Sequence, residues 1–181
     1  MKNIFWLILV ITIISCKSEK KNEKTITVEE NLVTEKKATE IQFPEIETPY
    51  TDLVSIFNNG FSFTDQIEIE EIGILNIEEN VYKIFYFLDD SSDLSVIKKL
   101  NIGFRFYPKD PNEFENEVDK KEKAKTIAIK GSAINSMENS LVIVSEEFKI
   151  MPNEFTHAKI FFYDPNDGIQ GKTLTILNLN L

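Results

Sequence analysis

The first residue of this chain with distinctive chemistry is its only cysteine, Cys16. A lone thiol cannot close an intramolecular disulfide, and the residues after it contain no second thiol for redox chemistry or metal binding. An apolar run at 4–14, broken only by Thr12, precedes it, and a polar run that starts at Lys17 follows it. Any folded domain beyond this junction must therefore be stable through its own core.

His157 is the only histidine and the first candidate for a general base. A base needs a nucleophile or a positioned water, and usually an orienting partner. The chain has no Gly-x-Ser-x-Gly motif. In the segment 155–162, His157 falls on the face opposite Ala158, Ile160 and Phe162, which is typical of an outward-facing strand residue. The sequence therefore predicts no enzyme, and one histidine also disfavours zinc, which prefers several N or S ligands.

Asp89-Asp90-Ser91-Ser92-Asp93 follows the apolar segment 84–88. The pattern resembles the metal-ion-dependent adhesion site of von Willebrand A domains, in which a strand ends in Asp-x-Ser-x-Ser. Asp89 and Ser91 match that pattern, whereas Asp93 stands at the place of its last serine, and the long helices of that family are missing. Because oxygen ligands suit calcium, Asp89, Ser91 and Asp93 are weak metal candidates. The alternative is a polar turn that caps a short helix, and no cofactor is predicted.

Asp164-Pro165-Asn166-Asp167-Gly168 has the composition of a calcium-binding loop. In an EF-hand loop, glycine occupies position six and glutamate position twelve. Counted from Asp164, glycine comes one position early and the twelfth residue is Thr175. The match fails, and these residue types instead predict a turn between the last two strands.

Aromatic side chains offer one further binding chemistry, the stacking of sugars. The only tryptophan, Trp6, lies in the apolar run at the start of the chain. Among the five tyrosines, the candidates are Tyr82, Tyr86, Tyr107 and Tyr163. They either line a glycan-binding face or fill and border the core, and both alternatives stay open.

The residues that precede Cys16 predict a removable export signal. At about 1.5 Å per residue, the apolar run would form a helix of roughly 16 Å, whereas a bilayer core needs about 30 Å. The run is too short to span, and with Lys2 before it, it has the layout of a signal peptide. Ile13-Ile14-Ser15-Cys16 resembles the processing site of bacterial lipoproteins, with a branched apolar residue, a small residue and cysteine. A buried strand or helix of a cytoplasmic domain is the alternative.

The resemblance covers residues 1–16 and implies cleavage between Ser15 and Cys16. The Cys16 sulfur would then carry a diacylglyceryl group. Two or more acyl chains bind a membrane stably, whereas one chain binds only marginally. The resemblance thus implies a protein anchored by lipid in the bacterial cell envelope, at the outer membrane where the cell has one.

Residues 17–42 predict a flexible tether. They contain six lysines, six glutamates and no aromatic residue, so little apolar surface is available to offset the entropy of ordering. As a coil, these residues have a root-mean-square span of about 28 Å. A short solvated helix over 28–37 is the alternative.

Residues 43–181 have the size of one domain. They carry 24 acidic and 13 basic side chains. This acidity disfavours nucleic acid and anionic lipid surfaces as partners, and it favours cationic partners or divalent ions.

The elements that must position these residues are strands. Residues 101–107 and 125–130 alternate apolar and polar side chains. Residues 81–88 are apolar on both faces, which is typical of a central strand covered on both sides. Further strands are predicted at 53–57, 67–77, 141–150, 155–163 and 173–181.

Two of these segments change their apolar phase, across Glu70-Glu71 and across Glu146-Glu147. Such a change predicts a β-bulge or a strand that passes from one sheet to the other. Helix is scarce: one or two turns are predicted at 92–99, capped by Ser91 or Ser92, and 111–123 is either a short helix or a mobile loop.

About eight strands and one or two short helices predict an all-β fold, an antiparallel β-sandwich of immunoglobulin-like or related type. The leading functional expectation is a non-enzymatic, lipid-anchored envelope protein that binds another protein or has a structural role. The alternative is a module that binds calcium or a glycan. A carboxylate hydrolase ranks last, because its acid pair is not evident in the sequence.

Overall fold

The computed structural model describes residues 42–46, 51–151 and 153–179. The predicted leader, Ser15, Cys16 and the tether up to residue 41 lie outside this range. The described residues form eleven strands and two short helices. These are β1 (Val54–Phe57), β2 (Phe61–Thr64), β3 (Ile67–Glu78), β4 (Val81–Leu88), α1 (Leu94–Ile97), β5 (Asn101–Tyr107), α2 (Glu117–Lys123), β6 (Lys125–Lys130), β7 (Ile134–Met137), β8 (Ser140–Val144), β9 (Phe148–Lys149), β10 (His157–Asp164) and β11 (Gly168–Leu177).

The strands form two sheets. Within each sheet, all neighbouring strands pair in antiparallel orientation. The seven-stranded sheet has the order β1-β3-β4-β8-β7, with β2 also paired to β3 and β9 also paired to β4. The four-stranded sheet has the order β11-β10-β5-β6. The predicted all-β antiparallel sandwich is confirmed.

The main core lies between the two sheets. Aromatic side chains meet across it: the ring centres of Phe63 and Phe162 are 5.0 Å apart, and those of Phe106 and Phe148 are 5.8 Å apart. The core is filled by residues at alternate positions of the strands, as a half-buried sheet requires. In β5, for example, Ile102, Phe104 and Phe106 are fully buried, as their spacing predicts.

The phase change in β3 is a β-bulge, as predicted. Ile69 pairs with Leu88 and Glu71 pairs with Phe87, so Glu70 is the extra residue. Isoleucines on both sides of the bulge therefore face the same core. The bulge also marks the place where the other edge of β3 changes its partner from β2 to β1.

The second phase change has a different origin from the first. The predicted strand 141–150 is two strands, β8 and β9, and both pair with β4, so the chain does not pass to the other sheet. Buried Ser145 lies between them. Its hydroxyl accepts a hydrogen bond from the Ile84 amide at 2.9 Å and donates one to the Glu146 carbonyl at 2.7 Å. The Ser145 amide also donates to the Ile84 carbonyl at 2.9 Å, so the backbone and the side chain of Ser145 together continue the ladder.

Several predicted details need correction. The strands β2 and β7 were not predicted, and β11 begins at Gly168 rather than at residue 173. Helix α1 is capped by Asp93, not by Ser91 or Ser92, because the Asp93 carboxylate accepts the Ser95 amide. Of the two alternatives predicted for 111–123, the structure has the short helix, α2, whose N-cap is Asn116.

The segment 42–46 lies along the outermost strand of the larger sheet. The Ile46 amide donates to the Ser136 carbonyl at 2.8 Å, and the Ser136 amide donates to the Pro44 carbonyl at 2.9 Å. Phe43 packs against the main core, and the Lys98 ammonium lies 5.0 Å from its ring centre.

Among the described residues, no helix has the length and apolar character that a membrane span requires.

Candidate functional site

The weak metal candidates Asp89, Ser91 and Asp93 form a turn and a helix cap. Asp89 Oδ1 accepts the Ser91 amide at 2.7 Å, and Asp93 Oδ1 accepts the Ser95 amide at 2.8 Å. Hydrogen bonds from Ser91 lower the pKa of Asp89, and hydrogen bonds from Ser95 lower the pKa of Asp93. Within 42–46, 51–151 and 153–179, no three His, Cys, Asp or Glu side chains are placed to hold a metal ion.

His157 faces outward, as predicted, while its neighbour Ala158 is fully buried. Its Nδ1 lies 2.8 Å from the Thr156 hydroxyl, which also donates to the Pro108 carbonyl at 3.2 Å. This contact holds the ring against its own strand.

The loop Asp164 to Gly168 is the predicted turn. Asp164 pairs with Gly168 across the β10–β11 hairpin, and its carboxylate accepts the Asn166 amide at 2.8 Å. Gly168 has φ +86°, a conformation that glycine adopts at no steric cost. The acidic side chain therefore serves the hairpin.

Of the four candidate tyrosines, Tyr82 and Tyr86 belong to the core between the sheets, and Tyr107 and Tyr163 do not. Tyr82, Tyr86 and Tyr107 are buried, and Tyr163 is half-buried. The Tyr86 hydroxyl has no hydrogen-bond partner among the described residues. Burial raises its pKa well above the usual value.

A concave site lies elsewhere, on the outer face of the four-stranded sheet. It is a cavity of about 270 Å³ between that sheet and α2. We call it the basic pocket. It is lined by the charged residues Arg105, Glu117, Lys120 and Lys159 and by the uncharged residues Tyr107, Phe161, Ile169, Thr173 and Thr175.

Strand register places two of the cations directly opposite each other. Lys159 on β10 pairs with Arg105 on β5 and, on its other side, with Thr175 on β11. Arg105 in turn pairs with Thr126 on β6. Like charges at directly opposite positions destabilise a sheet. Two adjacent cations on one face are therefore an unfavourable choice for stability alone.

Arg105 is held in a fixed orientation. Its Nε donates to the Thr126 hydroxyl at 2.9 Å, and its guanidinium carbon lies 5.2 Å from the ring centre of Phe161. No described residue accepts a hydrogen bond from its two terminal NH₂ groups. A guanidinium that is stacked and pinned at Nε presents these groups to a ligand with little loss of side-chain entropy.

Gly103 makes this arrangement possible. It pairs directly with Phe161, and a Cβ at Gly103 would lie 2.5 Å from the ring of that residue. The ring fills the space that a side chain would take and forms the buried floor of the basic pocket. A larger residue at this position would displace Phe161 and, with it, the stacked guanidinium.

Helix α2 supplies the remaining charged wall. Lys120 Nζ donates to Glu117 Oε1 at 2.9 Å. This hydrogen bond, followed by the charges of Lys120, Lys121 and Lys159, lowers the pKa of Glu117. The carboxylate is therefore ionised at neutral pH, and it is the one acidic group in the lining of the pocket.

Strand β11 bends beside the pocket. Ile160 pairs with Leu174 while Phe162 pairs with Gln170, so Phe161 faces three residues of β11. Gly171 lies within this bulge with φ +74°, and a Cβ there would lie 2.1 Å from the Phe63 carbonyl oxygen. Bulges often re-aim side chains next to functional sites. Here the bulge ends at Thr173, in the pocket wall.

The sequence reasoning missed this site. Its residues come from β5, α2, β10 and β11, and only the strand register brings them together. One signal was available, because Arg105 is the only arginine among the 20 basic residues of the chain. It also occupies an outward position in the most regular strand.

Comparison with known proteins gives no relative: no protein-family model, curated protein or solved structure matches this chain. The function must therefore be argued from the geometry of the basic pocket.

Proposed function

We propose that this protein is a non-enzymatic, lipid-anchored envelope protein that binds an anionic ligand in the basic pocket. One observation carries the proposal: Arg105 and Lys159 lie directly opposite each other on neighbouring strands. The sequence indicates a ligand-binding module as the alternative function. We adopt that alternative, with an anion as the ligand instead of calcium. It replaces the protein partner that the sequence alone favours.

The cation pair is unusual because the domain that contains it is strongly acidic. Residues 43–181 carry 24 acidic and 13 basic side chains, so three cations around one cavity are not a consequence of composition. An anion between Arg105 and Lys159 would turn their repulsion into two attractions. Charge-assisted hydrogen bonds of this kind are roughly twice as strong as neutral ones.

The state of Glu117 favours binding over acid–base catalysis. A general base works best when its pKa lies near the operating pH. The hydrogen bond from Lys120 moves the pKa of Glu117 in the opposite direction. The carboxylate is thus suited to accept hydrogen bonds from a ligand and is a poor acceptor of a proton.

The anchor is supported by the sequence Ile13-Ile14-Ser15-Cys16 after the apolar run. We propose that Cys16 is lipidated after cleavage at Ser15 and that residues 17–42 link the lipid to the domain. A binding pocket on such a tether would sample ligands within a few tens of ångströms of the membrane.

Anion binding can be tested by thermal unfolding of the full chain with phosphate, citrate, polyglutamate and polygalacturonate. A ligand that binds only the folded state raises the midpoint as its concentration exceeds Kd. We expect at least one anion to raise the midpoint, less so at high salt. The effect should be lost in the variant Arg105→Gln/Lys159→Thr and kept in Lys130→Gln, a lysine on the same sheet outside the pocket. No rise with any anion would contradict the proposal.

The anchor requires a separate experiment. Expressed in a bacterium, the full chain should fractionate with membranes and incorporate labelled fatty acid. Cys16→Ser should abolish the label, because the thiol is the acceptor. Equal labelling of both proteins, or an unmodified chain that begins at Met1, would overturn this part.

A further inference from the structure

We propose that the ligand of the basic pocket is a carboxylated saccharide, bound through one uronic acid residue. This inference rests on the proposed anion-binding function and narrows it to one chemical class. It follows from the size of the cavity, from its mixed charge and from its uncharged wall.

The size of the basic pocket sets the size of the bound unit. Its volume is about 270 Å³. This is below the usual range for pockets that enclose drug-sized ligands. It accommodates one sugar ring. Because the site lies on the open outer face of a sheet, a longer chain can continue beyond it on either side.

The cations suit a carboxylate. The free NH₂ groups of Arg105 have the planar fork geometry that matches two carboxylate oxygens. Lys159, at the opposite register position, can approach the same group as a point charge. One carboxylate would therefore bridge the two strands at the place where their charges repel.

Glu117 makes the basic pocket favour a sugar acid over a doubly charged phosphate. It is ionised and lines the same cavity as the cations, so it opposes a second negative charge in the pocket. It can, however, accept hydrogen bonds from hydroxyl groups. A ligand with one carboxylate and several hydroxyls complements both signs of charge, and a phosphate dianion complements only one.

The remaining wall suits the rest of a sugar ring. Thr173 and Thr175 on β11 are exposed and offer hydroxyls that both donate and accept. Ile169 is 54 % exposed and supplies the apolar surface of this wall, whereas Tyr107 and Phe161 are buried at the base of the pocket. Apolar C–H groups of a pyranose can pack on this surface while its hydroxyls bond to the threonines.

The test is isothermal titration of the full chain with four probes. They are trigalacturonate, the neutral galactose trimer, a hexaglutamate peptide and inorganic phosphate. We expect trigalacturonate to bind and the neutral trimer to bind at least about tenfold more weakly, because the bonds to the charged carboxylate are lost. Arg105→Gln should weaken trigalacturonate binding by about 10- to 100-fold and Arg105→Lys by less. Lys130→Gln should leave it within about twofold.

The outcomes separate the two proposals. Binding of phosphate or hexaglutamate without trigalacturonate would overturn the saccharide and leave the anion site intact. Binding of both trimers with equal affinity would overturn the carboxylate. Failure of all anions would overturn both proposals. Unchanged affinity in Arg105→Gln, with the fold verified by circular dichroism, would place the saccharide outside the basic pocket.

Discussion

The outer face of the seven-stranded sheet is covered by apolar side chains of the protein itself, whereas the outer face of the four-stranded sheet carries three cations around a cavity. On the first face, Leu75, Phe85, Met137 and Val142 form a second small core. On the second face, the corresponding central positions hold Arg105 and Lys159. One sandwich thus has a closed face and an open face.

The two outer faces share one packing arrangement, but the arrangement supports different structures. Each has a glycine whose missing side chain is replaced by an apolar neighbour. A Cβ at Gly73 would lie 2.8 Å from Leu53 Cγ, and a Cβ at Gly103 would lie 2.5 Å from the Phe161 ring. On the closed face the neighbour completes a core, and on the open face it supports a guanidinium. The first face serves stability, and we propose that the second serves binding.

The largest expected effect is on the closed face. Phe85 is fully buried, and we expect Phe85→Ala to lower the free energy of unfolding by about 3–5 kcal/mol. Anion binding should persist while the protein is folded. Urea unfolding measures the change, with Val54→Ala, at a residue 61 % exposed, as the control that should stay within about 0.5 kcal/mol. A loss below about 1 kcal/mol would show that this face is not a core.

Substitutions of Gly73 and Gly103 give a second test of the difference between the two faces. Both Gly73→Ala and Gly103→Ala should cost about 1–3 kcal/mol, because each forces a packed neighbour to move. Leu53→Ala should recover part of the first loss in the double variant. Only Gly103→Ala should also weaken anion binding, since it displaces Phe161 and the stacked Arg105. Equal effects of the two substitutions on binding would remove the distinction between the faces.

A smaller effect of opposite sign is expected at Lys159. Lys159→Thr removes the repulsion with Arg105, and we expect it to raise the free energy of unfolding by about 0.2–1 kcal/mol at low salt. The gain should shrink as salt screens the pair, and anion binding should fall. Urea unfolding at two ionic strengths tests this. A loss of stability at low salt would mean that the lysine stabilises the free protein.

The smallest effect concerns Glu117. Because its pKa in the folded state lies below its ordinary value of 4.5, its contribution to stability is present above pH 4.5 and is lost as the pH falls through the folded-state pKa. Glu117→Gln should therefore have a lower free energy of unfolding than the native protein at pH 6. Under strongly acidic conditions the two free energies should become similar. Urea unfolding across this pH range provides the measurement. A difference independent of pH would assign the effect to something other than ionisation.

The sequence predicts those features of the fold that depend on local periodicity. Strands β4, β5 and β6 have the predicted bounds, and the bulge at Glu70 follows from the spacing of the isoleucines. The short strands β2 and β7 were missed because four residues give little periodicity. The split between β8 and β9 follows Ser145, whose hydrogen bonds to Ile84 are not revealed by residue spacing.

The candidate site was less predictable for a physical reason. Asp89 and Asp93 attract attention because they are close in sequence, yet local turns and caps use them. Arg105, Lys120 and Lys159 are far apart in sequence, and strand register and the docking of α2 bring them together. Phe114, just before that helix, packs on Tyr107 with ring centres 6.2 Å apart.

Residues 42–46 cover the outer edge of β7. β7 is the outermost strand of the larger sheet, and such a strand is a template for pairing with another copy. The Pro44 carbonyl and the Ile46 amide take up both polar groups of Ser136 on β7, and Pro44 has no amide proton to offer a newcomer. Lipid anchoring would raise the local concentration of copies and bring their edges together. On the proposed lipid-anchored protein, residues 42–46 would thus also hinder polymerisation at the membrane surface.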